Sequence, residues 1–180
     1  MARRFERFGV RQGRRQWQLL APLRAGGRQD PRSLRPRPPA DAAELAAVAA
    51  LRHRQAGLGD FPRDADVLIA GPDVTGAVWY DPDAGEPTEY GSAGRIVAVL
   101  AEPGREGIRA DLVAAAMTGL RDRGLRVAAI TVDAEDHALT RTCRLLGFRH
   151  DRTDIEYLVG DAPAAARPAG TGLAHAAAKP

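Results

Sequence analysis

The sequence predicts an α/β (α+β) domain with a mixed, mostly antiparallel sheet flanked by helices and a central β-loop-α-β unit. Three observations carry this prediction. Residues 95–101 form a short apolar run rich in β-branched side chains, residues 108–120 repeat apolar side chains every three or four positions, and residues 125–132 form a second apolar run. Two strands joined by a helical crossover are expected to be parallel. Short strand-like runs before this unit favour an antiparallel meander.

The N-terminal segment, residues 1–32, is rich in Arg and Gly and contains scattered apolar side chains, such as Trp17, Leu19 and Leu20, without a sustained period. We expect it to be a basic, flexible extension that the fold does not need. The alternative is an arm that binds nucleic acid, with Arg on phosphates and aromatic rings on bases. Residues 1–37 carry eleven Arg against two acids, a net charge of +9, whereas the whole chain carries +3.

The segment that follows is expected to contain a capped helix and two strands. Asp41 caps a helix from Ala42 to about Gln55, and Glu44 has the position of the acid in a capping box. Strands are predicted at residues 65–70 and 76–80. A Pro-, Asp- and Gly-containing turn at residues 81–85 ends the second of them.

The central unit begins with the strand at residues 95–101, which ends at a Pro- and Gly-containing turn over residues 102–107. A helix starts at Ile108 and Gly124 ends it, before the strand at residues 125–132. The turn brings backbone N–H groups to the N-terminus of a helix. Such a place can bind an anion, for example a diphosphate.

The C-terminal part is expected to hold a short helix that starts near His137 and a closing strand or hairpin at residues 149–159. Residues 161–180 are rich in Ala, Pro and Gly and have no period, so we expect a disordered tail. The folded domain is therefore expected to cover residues 33–160.

The composition narrows the function classes. At 180 residues the chain suits one domain plus tails, and 44% apolar with 5% aromatic residues predicts a core mainly of Ala, Val, Leu and Ile. A single cysteine excludes an internal disulfide and fits a reducing cytosol. No apolar run approaches the roughly 20 residues of a membrane span, and no secretory signal is apparent, so we expect a cytoplasmic protein. No catalytic triad, Walker loop or metal-ligand cluster stands out.

Three short motifs, in order, carry a resemblance to a known family. Residues 107–112, Gly-Ile-Arg-Ala-Asp-Leu, are similar to the end of the pyrophosphate loop R-G-x-G-I-G-x-x-L of the GNAT superfamily of acyl-CoA N-acyltransferases. Residues 123–125, Arg-Gly-Leu, resemble its R-G-[LVA] step, and residues 145–148, Leu-Leu-Gly-Phe, resemble its x-L-G-F element. The resemblance covers about residues 34–159. It further implies that residues 33–38 form the first strand.

This resemblance implies an activity and a cofactor site. The activity is transfer of an acetyl or similar acyl group from acetyl-CoA, or another acyl-CoA, to an amine of a small molecule or peptide, by direct attack and without a metal. The backbone of the loop would hold the pyrophosphate, and a strand N–H would polarise the thioester carbonyl. Asp136 stands where members of the family often have an Asn that contacts cofactor, or it only caps the following helix. The implied cofactor-binding residues are Leu100, Ala101, Arg105, Glu106, Gly107, Ile108, Arg109 and Asp136.

The loop departs from the family pattern at two positions. The usual Arg or Gln before the first glycine is Gly104, and the second glycine is Arg109. A side chain at the second position can crowd the ligand, because glycine normally lets the backbone approach it. Arg105 and Arg109 can instead supply positive charge to the phosphates. A third alternative is that both are solvated arginines at the start of a helix.

The catalytic positions also depart from the pattern. The usual general-acid Tyr is replaced by Cys143, which either protonates the leaving thiolate or is a small buried residue. Glu102 fits the general base best by position, with Glu86 and Glu89 as other acids and Tyr80 and Tyr90 as further polar groups. The alternative function is a catalytically weak GNAT-fold module that binds CoA or a partner. A third alternative is an acyltransferase guided to RNA by the basic arm. A monomer or a homodimer is expected.

Overall fold

The structure is a computed structural model that describes residues 10–24, 35–54, 65–71, 73–88 and 91–159. The chain divides into two compact units. The larger covers residues 15–154, and the smaller includes the described residues 10–14 and 155–159. The elements in chain order are β1 (Val10–Pro22), α1 (Ala42–Arg54), β2 (Asp66–Ala70), β3 (Gly76–Thr88), β4 (Gly91–Ala101), a 3₁₀ turn (Glu106–Ile108), α2 (Arg109–Asp122), β5 (Val127–Asp133), α3 (His137–Leu145) and β6 (Arg149–Val159).

The predicted mixed, mostly antiparallel sheet is confirmed. Its six strands lie in the order β2-β3-β4-β5-β1-β6. β2 with β3, β3 with β4, and β1 with β5 pair antiparallel. β4 and β5 pair parallel and are direct neighbours, with a register from Ala93↔Val127 to Ile96↔Ile130. The β-loop-α-β unit predicted from the sequence is therefore β4, α2 and β5.

The expectation that the N-terminal segment lies outside the fold is wrong for β1. Residues 16–22 of β1 pair with β5, and Leu19, Leu20 and Ala21 are buried. Leu19 and Ala21 join the core cluster on one face of the sheet, whereas Leu20 is buried in a separate cluster with Val127 and Ala129. A strand that is buried on both faces has a continuous apolar run rather than an alternating one. The Arg-rich residues before Trp17 hid this short run.

The first strand that the resemblance implied at residues 33–38 is also wrong where the structure describes it. In residues 35–38 only Arg37 takes part in a β-bridge, with Ile69. The Arg37 N–H donates to the Ile69 carbonyl at 3.1 Å, and the Ile69 N–H donates back at 2.7 Å. Pro36 and Pro38 flank Arg37 and have no N–H, so the bridge cannot extend into a ladder. Residues 33 and 34 lie outside the described ranges.

The turn predicted at residues 81–85 is an irregularity inside β3. Its register with β4 shifts between Asp81↔Arg95 and Glu86↔Ala93. The Asp83 N–H donates to Asp81 Oδ1 at 2.8 Å, a local Asx bond that replaces ladder bonds at this point. β3 and β4 stay paired after this shift, as far as Thr88↔Gly91. The predicted turn residues therefore shift the register within a strand instead of ending it.

The helix predicted from Ala42 is confirmed as α1, and Asp41 caps it. The Glu44 carboxylate bonds the N–H of Ala40 rather than that of Asp41, so the reciprocal bond of a capping box is displaced by one residue. The Glu44 N–H donates to Asp41 Oδ1 at 2.9 Å, and Glu44 Oε2 accepts from the Ala40 N–H at 2.7 Å. The Arg37 guanidinium forms a bidentate ion pair with the same Glu44 carboxylate. α1 packs through Val48 and Leu51 on one face of the sheet.

α2 and α3 contribute to the larger core cluster of the sheet. The buried residues of α2 within that cluster are Leu112, Val113, Ala116, Met117 and Leu120. Tyr80 of β3 packs under this helix, where a Cβ on Gly119 would lie 2.6 Å from the Tyr80 hydroxyl. The helix therefore needs a glycine here to approach the sheet closely. None of the helices in the described ranges is long and apolar enough to cross a membrane. The predicted tail at residues 161–180 lies outside the described residues.

Candidate active site at the carboxyl ends of β4 and β5

The register between the two parallel strands ends before the strands themselves do. The last matched pair is Ile96↔Ile130, yet β4 continues to Ala101 and β5 to Asp133. β4 remains paired on its other side, through Leu100↔Ala77 and Ala101↔Gly76. Ligands of α/β proteins commonly bind outside the carboxyl ends of parallel strands. The end of the β4–β5 register makes this edge the candidate location of a site.

The loop that leaves β4 is held by its own backbone and by the residue before β3. The Glu102 N–H donates to the Thr75 carbonyl at 2.8 Å, and the Arg105 N–H donates to the Glu102 carbonyl at 2.9 Å. Gly104 has a φ of +81°, a conformation that suits glycine because it has no Cβ. The loop therefore makes a tight turn and delivers the chain to the start of α2.

The Glu106 side chain folds back onto this loop. Its Oε1 accepts a hydrogen bond from the Gly104 N–H at 3.0 Å. The pKa of Glu106 is lowered, first by the Glu106 N–H and then by the Gly104 N–H, with a further contribution from the positive charge of Arg109. A solvent-exposed carboxylate thus sits among the amides that the sequence assigned to a phosphate.

Arg109 and Asp136 join the first turn of α2 to the start of α3. Arg109 Nη1 lies 3.0 Å from Asp136 Oδ2, and the two side chains are 16% and 32% exposed. Asp136 Oδ1 accepts from the Leu139 N–H at 2.9 Å, so Asp136 is also the N-cap of α3. Arg109 Nε is buried and has no hydrogen-bond partner. Arg109 is therefore not one of the solvated arginines that the sequence allowed.

Cys143 lies inside the core and not on an open surface. It is 0% exposed and belongs to the same core cluster as Phe148. Burial raises the pKa of the Cys143 thiol to about 12, and the negative charge of Asp136 adds to the effect. Of the two alternatives that the sequence left open for Cys143, this position favours the small buried residue.

The remaining predicted residues fall into three groups. Leu100 and Ala101 are buried at the end of β4, Glu102 and Ile108 are half-buried, and Arg105 and Gly107 are exposed. All of them lie at the same edge as Arg109 and Asp136. Glu89 and Tyr90, as well as the side chain of Glu86, lie outside what the structure describes.

Tyr80 lies elsewhere. Its ring packs against Gly119 of α2, and burial, followed by the charge of Asp66, raises the pKa of its hydroxyl. Gly119 is ten residues beyond Arg109, a distance of about 15 Å along a helix. Tyr80 therefore packs the far end of α2 against the sheet.

Sequence reasoning selected Arg109 and Asp136 separately and did not predict their contact. The sequence does contain a feature that predicts this contact. Each residue stands at the start of the helix that follows one of the two parallel strands, and the carboxyl ends of parallel neighbours meet at one edge. The inward fold of the Glu106 side chain has no such signal, because a rotamer in a turn is not visible in a sequence pattern.

No family model and no curated protein matches the chain. Among solved structures, it is similar to a GCN5-related N-acetyltransferase from Sphaerobacter thermophilus, with a TM-score of 0.63 and 18% identity over 86% of this chain and 54% of that one. It is also similar to a candidate GNAT-family acetyltransferase from Novosphingobium aromaticivorans, with a TM-score of 0.60 and 17% identity over 83% of this chain and 66% of that one.

A third similar structure is a GCN5-related glucosamine N-acetyltransferase region of a fungal multi-domain beta-N-acetylglucosaminidase. The TM-score is 0.56 and the identity 17%, over 82% of this chain and 21% of that one. The chain thus spans less than two thirds of the length of each of these three proteins. At such low identities the likeness concerns the fold. The chain has a GNAT-like fold.

Proposed function

We propose that the chain is an acyl-CoA-dependent N-acyltransferase, which moves an acetyl or similar acyl group to an amine of a small molecule or peptide. One observation carries the proposal: within a GNAT-like fold, the β4–β5 register ends at Ile96↔Ile130, and the loop and α2 start at the same edge. A thioester arm would lie along β4 beyond Ile96, with its diphosphate at the loop.

The loop has the charges and the space that a diphosphate needs. Arg105 is exposed, and a Cβ on Gly107 would meet nothing within 4 Å, so the outer side of the loop is open. Arg109 replaces the glycine of the family pattern, but its guanidinium bonds to Asp136 and is therefore turned toward α3. This position supports a role for Arg109 in supplying positive charge rather than in blocking the ligand. Acyl-CoA, when bound, supplies the activated acyl group.

The backbone of β4 would polarise the thioester carbonyl. Successive N–H groups of a strand point to opposite edges. β3 is paired with β4 at both Leu100 and Ala101, so one of these two amides points toward β3 and the other toward the β5 side. We assign the carbonyl contact to the amide on the β5 side, where the β4–β5 register has ended.

Glu102 is the proposed general base. It follows β4 directly, its side chain is half-buried, and its backbone N–H is fixed by the Thr75 carbonyl. The carboxylate would take a proton from the attacking amine, directly or through a water. Cys143 is a poor proton donor at neutral pH, because its thiol pKa of about 12 lies well above the 9.0 of an ordinary thiol. We therefore propose that solvent protonates the leaving thiolate and that Cys143 packs the core.

Replacement of Glu102 tests its role as the general base. Glu102→Gln keeps the size of the side chain and removes its basicity, so kcat should fall about 100-fold, within the usual range for general bases. The measurement is release of free thiol from acetyl-CoA with a panel of amines. Glu135→Gln is the matched control, since Glu135 is an exposed acid outside the loop, and its activity should match the parent. Equal activity in Glu102→Gln and the parent protein removes Glu102 as the base.

The second candidate function is a GNAT-fold module that binds CoA or a partner with little catalysis. The buried Cys143 and the Glu106 carboxylate inside the loop favour it. The thiol-release assay, combined with a measurement of acetyl-CoA binding, separates the two candidate functions. Tight binding of acetyl-CoA with no thiol release for any amine supports the binding module.

A further inference from the structure

Most amides of residues 104–109 already have an acceptor inside the loop. The Arg105 N–H donates to the Glu102 carbonyl, and the Ile108 N–H donates to the Arg105 carbonyl at 3.0 Å. The Arg109 N–H donates to the Glu106 carbonyl. The Gly107 N–H takes part in none of these bonds. A diphosphate that enters therefore finds few donors available without a rearrangement of existing bonds.

The Gly104 amide is held by a side chain of the loop. The Glu106 carboxylate accepts from the Gly104 N–H at 3.0 Å and also interacts with its own N–H. These N–H groups stabilise the ionised form, so the Glu106 carboxylate is negative at neutral pH. Arg109, whose positive charge contributes to the lowered pKa of Glu106, is already bonded to Asp136.

A carboxylate oxygen and a phosphate oxygen make the same kind of charge-assisted bond to a backbone N–H. We propose that the Glu106 side chain is an internal competitor for the phosphate groups of the ligand at this loop. Its carboxylate occupies the Gly104 amide and has to swing out before a diphosphate can take that amide. The proposal rests on the proposed function, because it concerns the same cofactor site.

The competition has two physical parts. A diphosphate that approaches the loop has to displace the Glu106 carboxylate from the Gly104 N–H. Its hydrogen bond to this N–H therefore only replaces an existing hydrogen bond and adds little to the free energy of binding. The diphosphate also meets the negative charge of Glu106 at close range. Both effects weaken binding of the ligand. Glu106 therefore sets the affinity of the loop for diphosphates and, through it, the acyl-CoA concentration at which the protein is loaded.

The test is calorimetric titration of coenzyme A, and separately of inorganic pyrophosphate, into four full-length proteins. These are the parent and the variants Glu106→Gln, Glu106→Ala and Glu135→Gln. The last removes one negative charge from an acid that is 78% exposed and next to Asp136, so it controls for the general effect of charge. Thermal unfolding of each variant checks that the fold is retained.

We expect both ligands to bind about tenfold more tightly to Glu106→Ala and about threefold more tightly to Glu106→Gln, whose amide oxygen still accepts a weaker bond. Glu135→Gln should bind like the parent. Equal affinity of coenzyme A for the parent and both Glu106 variants, or an equal gain in Glu135→Gln, overturns the competitor role and leaves the proposed cofactor site intact. Absence of binding to all four proteins contradicts the proposed site itself, and the competitor role is rejected with it.

Discussion

The ion pair between Arg109 and Asp136 does two things at the scale of single residues. It neutralises a largely buried guanidinium, and it leaves the second carboxylate oxygen of Asp136 to cap α3 through the Leu139 N–H. Loss of the carboxylate therefore removes the cap of α3 and also leaves the positive charge of Arg109 without its partner. The two contributions can be separated, because asparagine is a good cap without a charge.

Substitution of Asp136 should show this separation. We expect Asp136→Asn to lower the free energy of unfolding by about 2 kcal/mol, between the values for an exposed and a buried ion pair, because the guanidinium of Arg109 is largely buried. Asp136→Ala should lower it by about 3 kcal/mol, since the cap is lost as well. Urea unfolding of the parent and both variants measures the difference. If the two variants have the same stability, the cap that Asp136 gives to α3 contributes nothing.

The buried thiol of Cys143 gives a dependence of stability on pH with a definite sign. In the unfolded chain a thiol ionises near its ordinary pKa of 9.0, whereas in the folded protein its pKa is about 12. Between these values ionisation stabilises only the unfolded chain, so stability present below pH 9 is lost as the pH rises toward 12. At pH 10 this loss should be about 1 kcal/mol.

Comparison with a variant that has no thiol isolates this effect from other titrating groups. The difference in unfolding free energy between the parent and Cys143→Ala should shrink between pH 7.5 and pH 10, because only the parent has the thiol. Urea unfolding at the two pH values measures it. A difference that does not change with pH would mean that the Cys143 thiol ionises as easily in the folded protein as in the unfolded chain.

At the scale of elements, β1 decides whether the sheet is complete. It lies between β5 and β6 in the strand order, so without it β5 would be an edge strand and β6 would lose its neighbour. Its side chains are buried on both faces of the sheet. The N-terminal strand thus fills an interior place in the sheet.

Truncation of a buried side chain tests how much β1 contributes to the free energy of unfolding. Leu19 is 1% exposed in the main core cluster, so Leu19→Ala should lower the free energy of unfolding by about 2–5 kcal/mol. Leu45→Ala is the matched control. Leu45 is 52% exposed on α1, and its truncation should change stability by less than about 1 kcal/mol. Equal effects of the two substitutions would contradict the burial of β1 in the core.

The elements with strong local signals were predictable from the sequence. Asp41 and Glu44 marked the start of α1, and the apolar repeat after Ile108 marked α2. The elements for which the prediction was wrong depend on tertiary context. β1 has only a short apolar run after many arginines, and the turn residues at 81–85 form a kink because β4 continues alongside them. Local chemistry identifies a bend, but the neighbouring strand decides whether the chain reverses there.

The candidate site was predictable in part for the same reason. Its location followed from the order strand, loop, helix and strand, and the structure places residues 100–109 and Asp136 at one edge as that order implies. The partners of the charged side chains were not predictable. Arg109 turned to Asp136, and Glu106 turned to the Gly104 amide, because rotamers in a loop are set by packing that the sequence does not display.

At the scale of the whole molecule, the chain combines a GNAT-like sheet with an atypical loop. The resemblance of short motifs and the likeness to solved structures agree on the fold, although the identities are only 17–18%. The loop lacks the second glycine of the family pattern and carries Glu106 and Arg109 in the region where a phosphate would bind. We propose that this loop, despite its departures, still holds the diphosphate of an acyl-CoA.

Calorimetric titration of acetyl-CoA into the parent protein tests this claim most directly, with acetylated pantetheine, which has the thioester arm but no diphosphate, as the control ligand. We expect acetyl-CoA to bind in the micromolar range, about −8 kcal/mol, and the control to bind at least about tenfold more weakly, because only acetyl-CoA reaches the loop. If acetyl-CoA does not bind, or if the two ligands bind equally, the loop does not hold the diphosphate.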